Sequence, residues 1–444
     1  MESKVSVVGL GKLGMCLAAC LASKGYSAIG VDIDKRIINA FNEGKTFLAE
    51  PSLGSLLESG AGNFRVTMLH EEAISHSDLT FIIVPTPSRP GGSFSDIYLQ
   101  EAIKPLAEAL GKNRKPYHLF VITSTVSPGT VENSIIPWIE KYSGRLLKEG
   151  FDVCYSPSFI ALGSVVKNLL SPDVLLIGES SKDAGNILQE VYEKLVDNKP
   201  HLARMSIISA EITKIALNAY VTMKISFANS LANICEKIPG SDIDQITSAL
   251  GGDRRIGRYY LKGGPAFGGP CFPRDNRAFA AFAEGFGSEA ILAKASDQVN
   301  HYLSDHLSSL AINCLKSSSN KRLSIIGLSY KPGTPVIEES PSIKLIDTLL
   351  KENISIIVYD PLAIENVKKI YGNRIEYARS LEECLDGSSL WILAVDFPEL
   401  RKLDQRVKNE NRSVIIIDCW RVLDGNKFGA NVQYLGLGRY QGSM

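Results

Sequence analysis

Three features predict an α/β fold built from two doubly wound halves. Residues 1–205 alternate short β-branched runs with helical patterns, the signature of parallel strand–helix–strand units. Residues 206–237, "SIISAEITKIALNAYVTMKISFANSLANICEK", hold no Gly or Pro and place apolar residues at three- and four-residue spacing. That pattern predicts one helix of about 30 residues, roughly 45 Å long. From "KRLSIIGLSYKPGT" onward a second α/β series begins. Together these give two Rossmann-like domains joined by a long central helix and a helical connector. The expected boundaries are 1–205, 206–305 and 306–444, the middle segment carrying a glycine-rich cysteine loop.

In the first half the strands are read as "KVSVVGL", "SAIGVD", "LTFIIVP", "HLFVITST", "FDVCYSP" and "DVLLIGE". In the second they are "ISIIVYDP", "LWILAVD" and "SVIIIDCW", after the opening run at 321. A length of 444 residues suits two or three domains. Forty-eight basic residues balance 48 acidic ones, which implies no field for a polyanion such as nucleic acid. Apolar runs fall well short of the roughly 18 residues of a membrane span. The N-terminus runs straight into a strand, so no signal peptide is expected. The eight cysteines contain no CxxC pair and no zinc-site spacing with histidine, so no metal is expected. That usage suits a soluble protein of the reducing cytoplasm. Cys16 and Cys20 lie one helical turn apart and are expected as core neighbours.

"VSVVGLGKLG" reads as a strand, then Gly9-x-Gly11-x-x-Gly14, then the opening of a helix. The glycines serve a tight turn, close approach of a pyrophosphate and close helix–strand packing. The helix start offers free N–H groups to phosphate. Eighteen residues past Gly14 the second strand ends in Asp32. A carboxylate there accepts hydrogen bonds from the adenosine ribose and repels a 2′-phosphate, favouring NAD over NADP. Lys35 and Arg36 weaken that preference. A Rossmann domain without nucleotide is the alternative.

"GPAFGGPCFPRDNRAF", residues 264–279, sets Cys271 between glycines and a "PRD" exit. Free cysteines are mostly buried and inert, so a packing role competes with a chemical one. Lys214 and Asn218, four apart, share a face of the long helix. There an ammonium and an amide can stabilise an oxyanion, or the pair can be a solvated lysine beside a packing asparagine.

With these pieces in view the chain resembles the UDP-glucose/GDP-mannose dehydrogenase family over essentially its whole length. The resemblance rests on the N-terminal fingerprint, "VPTP" (84–87), "TSTVSPGT" (123–130), "SPSFIALG" (156–163) and "EITKIALNAY" (211–220). It continues through "GGDRRIG" (251–257), "FGGPCFPRD" (267–275), "GLSYKPGT" (327–334) and "DCWRVLD" (418–424). It implies oxidation of a sugar C6 alcohol to a carboxylate with two NAD and no metal. The nucleotide sugar, most simply a UDP-hexose, would bind the C-terminal domain, and the protein would be a homodimer or larger. Cys271 would capture the aldehyde and become a thioester. Lys214, Asn218, Asp275, Thr125 and position 158 complete the implied catalytic set.

The resemblance also implies cofactor contacts from Gly9, Gly11, Lys12, Leu13, Gly14, Asp32, Arg36, Thr86, Thr125 and Arg274. For the substrate it implies Phe159, Ile160, Lys214, Asn218, Tyr260, Lys262, Phe267, Gly268, Lys331 and Arg421. Arg255 would reach the sugar of a neighbouring subunit. Several cations near a diphosphate make chemical sense, because charge-assisted bonds to phosphate are strong.

Several departures bear on the last step and on the cofactor. The family's "PEF" glutamate, which activates the hydrolytic water, is Ser158, whose hydroxyl is no general base near pH 7. A second family glutamate is Leu162, absent from other branches too. The arginine facing the NAD pyrophosphate aligns with Glu338, and the acidic pair before it with Pro335 and Val336. Position 37, often basic in relatives for the adenosine ribose, is Ile37, where Arg36 could substitute. Several readings stay open: a competent enzyme that hydrolyses through Asp275 or a Thr125-held water, one that stalls at aldehyde or thioester, a substitution made by design, or a nucleotide-sugar binder. A hydroxyacid-type dehydrogenase shares the first domain and long helix but has neither the cysteine nor a second Rossmann domain.

Overall fold

The computed structural model describes residues 4–46, 48, 50–316 and 321–440. Met1–Ser3, at the head of the opening run, lie outside the described residues. The chain divides into two compact units, Met1–Ala216 and Leu217–Met444.

Unit one is an eight-stranded sheet: β1 (Lys4–Val8), β2 (Ser27–Val31), β3 (Phe64–Thr67), β4 (Leu79–Ile82), β5 (Leu119–Ile122), β6 (Asp152–Tyr155), β7 (Val174–Glu179) and β8 (His201–Met205). Their spatial order is β3-β2-β1-β4-β5-β6-β7-β8. The chain reverses direction across the sheet between β1 and β4, the kind of switch point where such sheets bind ligands. The strands read in sequence are covered on both faces, so they appear as unbroken apolar runs rather than alternating ones. One cluster on Leu17, Cys20 and Phe81 covers one face, and another on Ile103, Phe120 and Tyr155 covers the other. Cys16 and Cys20 are both fully buried, as expected.

Two differences from expectation have local causes. β7 runs antiparallel to β6, although parallel units were expected throughout. The link between them contains only a six-residue helix, Val165–Leu170. At about 9 Å that is too short to carry a parallel crossover. β3 ("FRVT") and β8 ("HLARM"), absent from the predicted strands, are the two sheet edges. Their partial exposure removes the apolar signal.

The central helix runs from Ile207 to Cys235, 29 residues, and the division between the units falls within it. Unit two continues with helices Phe272–Gly285 and Ile291–Lys316. Its six-stranded parallel sheet contains β9 (Arg322–Ile326), β10 (Ser355–Tyr359), β11 (Glu376–Tyr377), β12 (Leu390–Leu393), β13 (Val414–Asp418) and β14 (Val432–Gly436). The order β11-β10-β9-β12-β13-β14 repeats the switch-point pattern of unit one.

Beneath the first sheet runs a buried polar chain. Ser6 bonds Ser77 (2.8 Å) and Thr80 (2.7 Å), and Thr80 bonds His118 Nε2 (2.7 Å). Lys115 Nζ lies 3.3 Å from His118 Nδ1 and donates to the Ser77 carbonyl. Burial, then the Lys115 charge, holds the His118 imidazole well below its usual range, so it is neutral when folded. Unfolding restores a pKa near 6.5. Below that pH the unfolded chain takes up a proton that the folded chain refuses, so stability falls as pH falls. The limiting slope for one such group is about 1.4 kcal/mol per pH unit. Replacing His118 with Asn should lower stability at pH 8 and flatten the loss between pH 6.5 and 5, read by denaturant unfolding at several pH values.

Candidate active site

In unit one the chain leaves β1 through Gly9 at φ +91°, with Gly9 N–H donating to Val31 O (2.8 Å). A Cβ on Gly14 would stand 1.8 Å from Gly9 O, and one on Gly9 would stand 2.1 Å from Ile83 O. Both positions therefore require glycine. Gly11, by contrast, faces open space. Asp32 closes β2 and accepts from Leu10 N–H (2.7 Å) and Asp34 N–H (2.8 Å). Gly9, Gly11, Lys12, Leu13, Gly14 and Asp32 all line one cavity of about 530 Å³.

These residues fit NAD: an open main-chain surface at Gly11 for pyrophosphate, and a half-buried carboxylate with lone pairs left for ribose. The cavity also takes in Ile37, His70, Tyr98 and Glu101, of which only Ile37 was singled out in sequence. Burial lowers the His70 pKa, opposed by the charge of Asp32. Arg36 is exposed and its guanidinium is turned onto Asp34 (2.7 Å) rather than into the cavity.

Apart from Lys214 on the central helix, the other predicted residues of unit one sit on loops at the ends of β4, β5 and β6. Thr86 Oγ1 donates to Thr125 O (2.6 Å), which braces "VPTP" against "TSTVSPGT". Lys214, 8% exposed, donates from Nζ to Ser158 O (3.0 Å) and lies 4.8 Å over the Phe159 ring. The lysine thus reads the main chain at position 158, a contact that does not depend on the side chain there. Ile160 and Leu162 pack against the apolar cluster of Leu17 and Phe81, and Phe159 against that of Ile103 and Phe120.

Unit two presents the thiol. Seven of the eight cysteines are buried and Cys271 is exposed. It is the N-cap residue of helix Phe272–Gly285, and its carbonyl accepts from Asp275 N–H (2.8 Å). The loop leading to it is held by two buried asparagines. Asn229 accepts from Gly264 N–H (2.8 Å) and donates to Pro265 O (3.3 Å). Asn300 accepts from Phe267 N–H (2.7 Å) and donates to Phe267 O (3.0 Å). At Gly268 a Cβ would meet Glu339 O at 2.3 Å, so no larger residue fits. Asp275, 1% exposed, accepts from Asn218 Nδ2 (2.7 Å) and from Arg274 Nε (3.0 Å). Both of its oxygens are therefore already engaged, and Arg274 lies against this carboxylate.

A second cavity, about 320 Å³, is lined by Tyr260, Lys262, Phe267, Gly268 and Lys331, all predicted, together with Tyr330 and Trp420. Phe272, next to Cys271, also faces it. The Tyr330 phenol is pushed up to about 12 by burial and then by the Cys271 thiol. Lys262 Nζ stands 5.4 Å from the Trp420 ring centre. Arg421, predicted at the substrate, is instead spent inside the unit. Its guanidinium bonds Asp244 (2.7 and 2.9 Å), Gly263 O (2.7 Å) and Leu437 O (2.6 Å), and its side chain is fully buried. It fastens the stretch that bears Lys262. Arg255 is exposed, pairs with Asp253 (2.7 Å) and lies outside the cavity lining.

Unit two also repeats the first-strand turn, at Gly327 (φ +97°). Here Asp360, 4% exposed, accepts from the amides of Leu328, Ser329, Leu362 and Ala363. A carboxylate so occupied offers nothing to a ribose, which separates this site from that of unit one. Asn229, Asn300 and Asp360 were not legible as functional. Tyr330 and Trp420 lay within quoted motifs, but nothing in their spacing marked them.

Comparison with known proteins follows these lines. Three family models match in order: the UDP-glucose/GDP-mannose dehydrogenase family NAD binding domain over residues 3–196, its central domain over 208–302 and its UDP binding domain over 324–425. UDP-glucose 6-dehydrogenase AglM of Haloferax volcanii is 35% identical, covering 95% of this chain and 97% of that protein. GDP-mannose 6-dehydrogenase of Pseudomonas aeruginosa is 31% identical over 85% of each. The structure of a UDP-glucose dehydrogenase from Pyrobaculum islandicum superposes with a TM-score of 0.90 at 29% identity, covering 99% of this chain and 98% of that one. With a glycine turn and carboxylate fitted to NAD in one unit, and an exposed thiol beside a cation-bearing cavity in the other, this chain belongs to the UDP-glucose/GDP-mannose dehydrogenase family.

Proposed function

We propose that the protein oxidises the C6 alcohol of a UDP-hexose to the carboxylate through a thioester on Cys271. The observation that carries this reading is the exposed thiol at a helix start, between Gly268 and Phe272 of a cavity whose lining includes Lys262 and Lys331. The UDP binding domain match supports uridine as the base.

NAD, when bound, supplies the hydride acceptor for both oxidations. The residues of the chain do the rest. After the first oxidation the Cys271 sulfur adds to the aldehyde carbon, and the carbonyl oxygen takes a proton to give a thiohemiacetal. A helix N-terminus favours the thiolate that makes this attack. The second oxidation leaves the thioester. Water then adds, the C–S bond breaks, and the thiol and the carboxylate are released. The Lys214 ammonium and the Asn218 amide are the groups suited to the oxyanion of each tetrahedral stage. Asp275 orients Asn218 through their 2.7 Å bond. Asp275 is 1% exposed, and with Asn218 and Arg274 on its oxygens it is shut off from the water it would have to deprotonate. Ser158 supplies no base either, so hydrolysis is the slow step of this reading.

A second copy of the chain completes the proposed assembly. Leu217, Tyr220, Phe227 and Ile234 repeat along one stripe of the central helix and are 38–58% exposed. Residues three, seven and seven apart share a helix face.

Five outcomes are expected. On a panel of nucleotide sugars with NAD, UDP-hexoses should give NADH and GDP-hexoses should not. NADH should appear as a burst followed by slow turnover, with the acyl group on Cys271 visible as added mass, and Cys271→Ser should abolish carboxylate formation while binding persists. Ser158→Glu should raise the steady rate by roughly 10²–10⁴-fold, the usual worth of a general base; steady release of two NADH per sugar, unchanged by that substitution, would remove the assignment of the slow step. Asp32→Ala should cost about 10–100-fold in kcat/KM with NAD, from lost bonds to a charged acceptor, and narrow the gap to NADP. Light scattering should give at least a dimer, which Phe227→Glu should weaken.

A further inference from the structure

One buried acid takes no part in the reaction described above. Glu211 lies in the first turns of the central helix and is fully buried. Its carboxylate accepts from two main-chain amides, Gly129 N–H (2.6 Å) and Val131 N–H (2.9 Å). Those amides close the "TSTVSPGT" turn that carries Thr125 and open the helical stretch Val131–Ser143. Three residues on, the same helix bears Lys214, whose ammonium is bonded to Ser158 O. A single side chain therefore ties the Thr125 turn to the stretch of helix that bears Lys214, all within unit one.

We propose that Glu211 is a positioning residue for the reaction: its carboxylate locks the Thr125 turn to the Lys214 helix, and the lock opens when the carboxylate takes up a proton. This rests on the role given above to Lys214 and on the place in the catalytic set that the family resemblance implies for Thr125. As a carboxylate Glu211 offers an acceptor oxygen to each N–H. Once protonated, one oxygen becomes a hydroxyl donor facing an amide that is itself a donor. An N–H left unpaired in a buried place is costly, so the turn would shift to find another partner.

The surroundings favour such a change near neutral pH. Burial raises the Glu211 acid to about 7, the amides of Val131 and Gly129 pull against it, and the like charge of Glu132 adds to the rise. Glu132 is exposed and stands at the start of the helical stretch that Glu211 caps. On the sheet side the helix is apolar, Ala210 and Ile207 lying against Gly178 of β7. Lys214, the nearest cation along the helix, is turned to Ser158 O and the Phe159 ring.

The test joins turnover with a measurement that needs none. In the wild-type protein kcat should fall on the acid side of about pH 7 while KM for the nucleotide sugar stays within about twofold. Glu211→Gln keeps the shape but turns a donor toward one of the two amides. It should lose roughly 10–100-fold in kcat, the scale of a misplacement of about 1 Å, with no further change between pH 6 and 8. Glu132→Gln should keep the plateau rate and move the acid limb to lower pH. Hydrogen exchange at amides 129 and 131, corrected for intrinsic rates, should quicken from pH 8 to pH 6 in the wild type and be fast at both in Glu211→Gln. Exchange that ignores pH in the wild type, or an acid limb that survives in Glu211→Gln, would overturn the proposal. If Glu211→Gln does not fold by circular dichroism, wild-type exchange and the limb in Glu132→Gln decide it alone. A wild-type protein that makes no NADH at any pH refutes the functional reading instead, and the exchange data still judge the lock.

Discussion

Each sheet turns on one bond between a carboxylate and a main-chain amide. The chain leaves the first strand through a glycine in the left-handed region, and the next N–H points to the end of the neighbouring strand. Asp32 accepts it in unit one (2.7 Å) and Asp360 in unit two (2.8 Å). Left unpaired, that buried donor would cost about 1–3 kcal/mol, and the turn above the switch point would lose its shape. The two sites part at the same atom. Asp32 takes two amides and keeps room for an outside donor, whereas Asp360 takes four and is closed. One architecture thereby serves two different ligands.

The parts with reactive groups are mounted by side chains that have none. The loop before Cys271 has no regular secondary structure between residues 261 and 268, yet apart from Lys262 it is buried. Its amides and carbonyls need partners there. Asn229 and Asn300 each supply a donor and an acceptor, doing for the loop what a neighbouring strand would do. Arg421 secures the same loop at Gly263 O. Removing such a clamp would act on the thiol without touching it.

The order of elements and the long helix were readable because their signals are local: unbroken apolar runs, three-four spacing, a glycine fingerprint. The antiparallel β7 was not, because direction depends on whether 18 intervening residues can form a full crossover helix. Edge strands β3 and β8 were not, because exposure erases periodicity. Gly9 and Cys271 stood out because they lie within compact motifs; the structure sets Gly9 in the lining of the first cavity and Cys271 at an exposed helix start. Asn229 and Asn300 were invisible because their partners lie 35 and 33 residues away. Arg421 was visible as a cation, but its partner Asp244, 177 residues away, could not be seen. A cation's charge is legible in sequence, and the direction in which it is used is not.

The distribution of thiols has a further consequence. Cys16, Cys20 and Cys384 are buried with acidities pushed up to about 12, and burial likewise raises Cys154, Cys314 and Cys419. Electrophiles and peroxides attack accessible thiolates, so among the described cysteines the exposed Cys271 is the one they reach first. Among the described residues the other seven cysteines are buried, while Cys271 is exposed. Its sulfenic acid must be reduced by a small thiol from solution or pass on to the irreversible sulfinic state. The chain's oxidative lifetime is thus set by the thiol pool around it.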